Sequence, residues 1–247
     1  MRWALLASLF LSTVALGAEP LKLRVMTDVW PPFRIAVGPD KLQGLDIDLL
    51  EKLTERTGIR FEIIRAPWAR GLAALESGSA DMMTGLAKTP AREAYVQYSD
   101  KPYYACSARF YTKPSRAMDI NTYGQLKGLK IGYVQGSAYF EPFDSDTSLN
   151  KVAVNSEKQL LEMLKRGRIQ LLIGTDCQVD YELRDTAWRQ VAAKAAYRPE
   201  SPTHLYLGFS RKRLNPQTFD ALSAALQQLR EEGWVTQAAE RYHAQVE

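Results

Sequence analysis

A helix, a glycine, a short strand and a terminal glycine occur twice in this chain, at a constant spacing of 89 residues. Helix–glycine–strand units are common, so one such match carries little weight. Five coincident offsets favour two related α/β units, and they restrict the chain to folds that contain two similar lobes. The matched pairs are Leu72/Leu161, Leu75/Leu164, Gly78/Gly167, Asp81/Gln170 and Gly85/Gly174.

Strands and helices alternate around both copies of this unit. Apolar alternation predicts strands at 21–27 and 60–65, and a 3.6-residue apolar period predicts a helix at 46–56 between them. This βαβα order predicts parallel sheets covered by helices. The other predicted elements are helices at 69–77 and 157–166, two helices on either side of Gly233, and strands at 81–85, 129–134, 152–154, 169–173 and 205–210.

The first eighteen residues have the order of a secretory signal. Arg2 precedes an uncharged, mostly apolar run, which ends in the small residues of 15–18. The run is too short to span a bilayer, so we expect cleavage after Gly17 or Ala18. No cysteine lies near the cut, which excludes a lipid anchor there and predicts a protein exported to the periplasm.

Composition excludes several classes of function. The formal charge is +4 with no cluster of Lys and Arg, so no nucleic-acid partner is expected. The chain has only two histidines and two cysteines, and it lacks a phosphate loop, a dinucleotide motif and a nucleophile elbow. We therefore expect no metal site, no cofactor and no catalytic residues. Export makes a disulfide between Cys106 and Cys177 possible, but the sequence leaves their distance open.

The segment 84–92 contains the most informative charged residue. Thr89 is a favourable helix N-cap and Pro90 suits the first helical position, which places Arg92 in the first turn. A cation there opposes the helix dipole, at a cost of about 0.3–1 kcal/mol. An anion held by free N–H groups and the guanidinium would explain the placement. The alternative is an arginine that pairs with a neighbouring glutamate or faces solvent.

Three aromatic residues follow predicted strands. Trp30 and Phe33 come after the first strand in a Pro-Pro loop, and Trp68 comes after the second. Open α/β sheets bind ligands beyond the carboxyl ends of their strands, so these rings are candidate walls of a site. Core packing is the alternative for each ring. Asp46, at a helix start, is interpreted as a cap and dipole partner.

The order and spacing of several segments resemble family 3 of the bacterial extracellular solute-binding proteins, the polar amino acid binders of ABC importers. The resemblance covers nearly the whole chain after the signal segment. The segments that carry it are Trp30–Phe33, Gly44–Leu49, Pro67–Trp68, Gly78–Asp81, Gly85–Arg92, Tyr98–Tyr103, Leu126–Gly132, Gln135–Ser137 and Glu232–Trp234.

The resemblance implies a two-lobed periplasmic binding protein of type II. Each lobe would be a mostly parallel sheet flanked by helices, and a two-stranded hinge would join them. Residues 19–104 and 205–247 would form the first lobe, and residues 105–204 the second.

The resemblance also implies roles for individual residues. Arg92 matches the arginine that clamps the carboxylate of the ligand, and Trp30 and Trp68 match the positions on either side of the ligand's side chain. Gly85 and Ala87 match donors of backbone N–H groups, and Gly136 and Ser137 match the carboxylate loop of the second lobe. The acidic residue that binds the amino group aligns with Thr175, and Asp176 follows it. Arg70 is a candidate second cation, with a solvent-facing arginine as the alternative.

These observations predict a non-enzymatic monomer that delivers an amino acid or a related carboxylate-bearing solute to a membrane ABC permease. One alternative is a ligand sensor that docks on a membrane receptor. Another is an enzyme similar to cyclohexadienyl dehydratase, which would need an acid in the cleft.

Overall fold

The computed structural model describes residues 21–39 and 41–244, and in this part of the chain it forms two α/β lobes. The predicted signal segment therefore lies outside the described residues. None of the helices between residues 21 and 244 has both the length and the hydropathy that a bilayer span requires.

The first lobe contains a sheet centred on its first strand, which pairs in parallel with the strands on both sides. Gly58 and Gly78 end the two long helices in the left-handed conformation, as their positions predict. The elements are β1 (Lys22–Thr27), β2 (Ile35–Ala36), β3 (Leu42–Gln43), α1 (Leu45–Thr57), β4 (Arg60–Arg65), α2 (Trp68–Ser77), β5 (Met82–Leu86), α3 (Pro90–Glu93) and β6 (Val96–Tyr98).

The second lobe repeats this plan around a second parallel core of three strands. Two 3-10 turns, Pro114–Asp119 and Tyr123–Leu126, precede that core. Its elements are β7 (Tyr104–Thr112), β8 (Lys130–Val134), β9 (Asn150–Val154), α4 (Glu157–Lys165), β10 (Leu171–Thr175), α5 (Asp176–Glu182), α6 (Thr186–Arg189) and β11 (Ala193–Lys194). Strand β8 pairs in parallel with both β9 and β10.

The chain then returns to the first lobe through β12 (Pro202–Ser210), α7 (Pro216–Glu231) and α8 (Trp234–Ala244). The start of β12 pairs with β7 over Pro202–Leu205 and Tyr104–Ser107, and the rest of β12 pairs with β5 and β6. Past the same point β7 continues against β10. These two antiparallel strands are the hinge, and they join both sheets in the order β4-β1-β5-β12-β7-β10-β8-β9.

Strand β12 begins three residues before the predicted strand at 205–210. Pro202 donates no backbone hydrogen bond, but the first residue of a strand tolerates proline, so the pairing with β7 extends back to it. The sequence predicted no strand for the residues of β7.

Each lobe has its own apolar core. Helices α1, α7 and α8 bury Leu49, Leu53 and Leu226 in the first lobe, while Phe110 and Ile131 are central to the second. The separate cores, and the passage of β7 and β12 from one lobe to the other, support the predicted lobe boundaries. We propose these boundaries at residues 104 and 205.

Cys106 and Cys177 form a disulfide, which answers the question that the sequence left open. Their Cα atoms are 5.7 Å apart, within the range that a disulfide allows. Cys106 lies on the hinge part of β7 and Cys177 lies in the first turn of α5. The bond therefore fixes the start of α5 to the hinge.

Candidate ligand-binding cleft between the lobes

A cleft of about 620 Å³, including the part open to solvent, lies between the lobes. The loops at the carboxyl ends of the parallel strands supply most of its walls, as expected for open α/β sheets. The first lobe contributes Asp28, Val29, Trp30, Arg34, Trp68, Gly85, Ala87 and Arg92. The second lobe contributes Val134, Ser137, Ala138, Tyr139, Asn155, Glu157 and Thr175, and β12 contributes Thr203 and Leu205.

Arg92 lies in this cleft and is only 6% exposed. Its guanidinium donates to the carbonyl oxygen of Ala87 at 2.7 Å and to that of Gly136 at 2.6 Å. No carboxylate of the described residues lies within salt-bridge distance of it. Burial lowers the pKa of Arg92 below its ordinary value, although an arginine remains a cation at neutral pH. A buried cation bonded to neutral carbonyls is a favourable site for an anion.

The position of Arg92 in its helix agrees with the prediction, but the expected dipole argument does not apply. Thr89 caps α3 by accepting a hydrogen bond from the Arg92 backbone N–H at 3.3 Å, and Pro90 is the first helical residue. Helix α3 has only four residues, so its dipole is small, and the cap occupies the Arg92 N–H. The guanidinium, and not the end of the helix, is the anion-binding group here.

Gly136 connects the lobes at the rim of the cleft and does not line its interior. Its carbonyl oxygen accepts from Arg92 and also from the indole N–H of Trp68, at 3.3 Å. Its φ is +79°, and a Cβ there would lie 3.1 Å from Cδ1 of Leu72. The loop after β8 therefore approaches α2 closely because residue 136 is glycine.

The aromatic residues have different roles. Trp30 and Trp68 line the cleft. Phe33 is 1% exposed and lies in the first core, where its ring stacks on Trp30 with the centroids 4.4 Å apart. Phe33 therefore supports the wall of the cleft from behind instead of forming it.

Arg34, which the sequence analysis did not single out, contacts both tryptophans. Its Cζ atom lies 5.1 Å from the Trp30 ring centroid and 5.9 Å from that of Trp68. Cation–π contacts of this kind hold the indoles in place. The Arg34 guanidinium also forms a short ion pair with Asp46.

Asp46 is not the helix cap that its position predicts. The N-cap residue of α1 is Gly44, and Asp46 is fully buried. Its carboxylate accepts from Arg34, from the Thr84 hydroxyl at 2.7 Å and from the Tyr103 hydroxyl at 2.6 Å. Burial beside this carboxylate raises the pKa of Tyr103 well above its ordinary value, so the hydroxyl stays a donor.

Gly85 and Ala87 lie at the end of β5, next to Arg92. Gly85 has a φ of +73°, and a Cβ there would lie 3.0 Å from Nη1 of Arg34. Glycine at this position therefore allows the Arg34 guanidinium to approach the strand. Ala87 lines the cleft, and its carbonyl oxygen orients Arg92.

The second lobe brings Ser137 and Thr175 to the cleft but not Asp176. The Thr175 hydroxyl is buried and has no hydrogen-bond partner among the described residues. Asp176 is absent from the lining, and its Oδ1 atom accepts from the backbone N–H of Ser107 at 2.8 Å and from that of Cys177 at 2.8 Å. Asp176 thus orders the hinge beside the disulfide. Arg70 is exposed and does not line the cleft.

Two carboxyl groups of the cleft, Asp28 and Glu157, were missed by the sequence analysis. Asp28 follows β1 directly, and the rule about strand ends could have found it. Glu157 is the first residue of α4, where an acid usually only complements the helix dipole. Burial, with the negative charge of Asp28 adding to it, raises the pKa of Glu157 to about 7.

Solved structures with this arrangement define the fold as that of a type II periplasmic binding protein, which confirms the predicted fold class. AbpA of Streptococcus pneumoniae, an amino acid ABC transporter substrate-binding protein bound to L-arginine, aligns with a TM-score of 0.80 at 22% identity. The alignment covers 92% of this chain and 96% of that one. A histidine kinase sensor domain also aligns with a TM-score of 0.80, at 14% identity over 92% of this chain and 96% of its own.

The sequence places the chain within one family of this fold. The model of the bacterial extracellular solute-binding proteins, family 3, matches residues 23–245, and the chain belongs to that family. The L-cystine-binding protein TcyA of Bacillus subtilis is 22% identical over 82% of this chain and 73% of the relative. The L-arginine-binding protein of Pseudomonas aeruginosa is 24% identical over 72% of this chain and 70% of the relative.

Proposed function

We propose that this protein captures an amino acid, or a related small solute with a carboxylate, and delivers it to an ABC permease in the membrane. It acts in the periplasm as a monomer, after removal of residues 1–18. Closure of the two lobes around the hinge encloses the solute and removes water from its charged groups. Family membership and the amino-acid-binding relatives support this function.

The single observation that carries the proposal is the buried guanidinium of Arg92. Burying an uncompensated charge costs several kcal/mol, and a carboxylate from the solute would offset part of that cost. Because one hydrogen bond of Arg92 reaches Gly136 in the other lobe, anion binding and closure involve the same side chain.

The other residues of the cleft have supporting roles in this proposal. Trp30 and Trp68 form the walls for the apolar part of the solute, with Phe33 behind Trp30. The backbone N–H of Ala87 adds a donor to the carboxylate. Gly85 and Ser137, whose N–H groups donate to Tyr103 and Val134, line the wall, and Gly136 closes the rim.

A thermal-shift screen tests the proposal. The purified protein is heated with each of the L-amino acids, with polyamines and with dicarboxylates. A true ligand at 100 times its dissociation constant stabilises the protein by about 2.7 kcal/mol, and we expect this from at least one amino acid. Stabilisation by polyamines alone would contradict the carboxylate anchor.

A second candidate function is that of a sensor, because a histidine kinase sensor domain has the same fold. In that case the closed form docks on a membrane receptor. Reconstitution with a permease distinguishes the two functions: stimulation of ATP hydrolysis by the loaded protein supports transport, and its absence together with receptor binding supports sensing.

The dehydratase-like alternative is favoured by one observation, which is the presence of Glu157 as an acid in the cleft. It is tested by incubating the purified protein with prephenate and with arogenate. We expect no turnover of either compound.

A further inference from the structure

We propose that Glu157, assisted by Asp28 from the opposite lobe, binds a protonated amino group of the solute. The cleft then selects solutes that carry both a carboxylate and an amine. This inference rests on the proposed function and deepens it, since the carboxylate anchor remains Arg92.

The two carboxyl groups are brought into one cleft by different lobes. Glu157 opens α4 in the second lobe, and Asp28 follows β1 in the first. Both line the cleft, and their negative charges act on each other across it. Closure therefore places two acids around the same space, which is unfavourable unless one of them takes up a proton or a cation lies between them.

Glu157 is the carboxyl group with capacity for a ligand. The two oxygens of Asp28 already accept the backbone N–H groups of Val29 at 2.8 Å and of Trp68 at 3.2 Å. Within residues 21–39 and 41–244, Glu157 forms no salt bridge, and it accepts only its own backbone N–H. A carboxylate has about four acceptor sites, so most of those on Glu157 remain for a donor.

The nearby cations do not neutralise this pair of acids. Arg34 is committed to Asp46 in the buried ion pair, and Lys158 acts on Glu182. Arg92 is bonded to carbonyl groups and forms no salt bridge with a described residue. The cleft thus presents one cation without a salt-bridge partner and two acids. A solute that carries both a carboxylate and an ammonium group complements this arrangement.

Thr175 is an independent indication of a ligand in the same cleft. It is 8% exposed, it lines the cleft, and its hydroxyl has no partner among the described residues. A hydroxyl accepts one hydrogen bond from an ammonium group but supplies no charge. The charge must then come from another residue of the cleft, and Glu157 is the carboxyl group with free acceptor sites.

The proposal predicts that binding depends on pH. Burial raises the pKa of Glu157 to about 7, and an ammonium group binds its ionised form. Affinity should therefore fall by about tenfold between pH 8 and pH 6, as the ionised fraction of Glu157 falls. The charged groups that act on Glu157 are Asp28 and Arg34 across the cleft and Glu182 on α5. Asp144, whose burial raises its pKa to about 6, also titrates in this region and acts on Arg92.

The test is calorimetric titration of wild type, Glu157→Gln and Glu162→Gln. Glu162 lies on the same helix, is partly exposed and pairs with Arg166, so it is the matched control. The probes are L-arginine, or whichever L-amino acid stabilises the wild type most, and the N-acetyl derivative of the same compound. We expect Glu157→Gln to weaken binding of the free amino acid by about 10- to 100-fold and to abolish its pH dependence. The control should change neither.

Three results would overturn this inference and leave the proposed function standing. If Glu157→Gln binds the amino acid as tightly as wild type, or if the wild type binds the N-acetyl derivative equally well, the inference is overturned while the function stands. Retention of the pH dependence in Glu157→Gln would assign it to Asp144 and would also overturn the inference. If no amino acid or dicarboxylate binds the wild type, both proposals are rejected.

Discussion

At the residue scale, burial and not helix position decides the role of Asp46. Position 46 has the sequence context of a helix cap, and nothing local to it indicates burial. Its partners Arg34, Thr84 and Tyr103 come from three different segments, which only the folded chain brings together. A sequence pattern read within one helix cannot identify such long-range partners.

Substituting Asp46 tests this ion pair. Asp46→Ala leaves the Arg34 guanidinium buried without its carboxylate, so we expect the free energy of unfolding to fall by about 3–5 kcal/mol in urea denaturation. Glu55→Ala is the control, because Glu55 is exposed on the same helix and pairs with Lys52. The control should lose less than about 1 kcal/mol. Equal losses in both variants would contradict the assigned role of Asp46.

At the element scale, the repeat at 89 residues corresponds to a structural equivalence. The Asp81 carboxylate accepts from the backbone N–H of Arg24 at 2.7 Å, and the Gln170 amide oxygen accepts from that of Lys130 at 2.8 Å. Each side chain therefore takes the place of a backbone acceptor just before its own strand, β5 or β10, begins. This also explains why β10 begins at Leu171 and not at the predicted residue 169.

Apolar periodicity and glycine caps were sufficient to predict most elements, since they report local structure. The hinge strands were harder to predict. Strand β7 changes partner from β12 to β10 midway, and no local pattern encodes that change.

The disulfide is the second test at this scale. Cys106 and Cys177 close a loop with a sequence separation of 71 residues. Replacing both with alanine frees the start of α5 from the hinge and enlarges the conformational freedom of the unfolded chain. We expect a loss of about 2–4 kcal/mol in unfolding free energy, measured by urea denaturation under oxidising conditions. A change below about 0.5 kcal/mol would show that the bond contributes little.

At the scale of the whole molecule, strand topology predicted much of the cleft. Trp30, Trp68, Ala87 and Arg92 follow strands of the first lobe, Gly85 lies near the end of β5, and all five share one cavity. Phe33 comes from the same loop as Trp30 but turns towards the core, and Asp176, which follows β10 in the second lobe, turns towards the hinge. Side-chain direction within a loop is set by packing, so sequence alone could not separate them from the residues that line the cavity.

Closure of the molecule depends on the contact at Gly136. In Gly136→Ala the added Cβ would press against Leu72 of the opposite lobe, so we expect weaker solute binding, by about tenfold, in calorimetric titration. Gly128→Ala is the matched control, because its φ of +78° imposes the same backbone strain with no atom near the added Cβ. If both variants lose the same affinity, strain and not the contact between lobes is the cause.

The central claim is that Arg92 anchors a solute carboxylate between the lobes. The most direct measurement is calorimetric titration of wild type and Arg92→Ala with the amino acid that stabilises the wild type most, with circular dichroism to show that the variant is folded. We predict a loss of affinity of at least about 100-fold in a variant that keeps its fold. Unchanged affinity in a folded Arg92→Ala protein would contradict the claim.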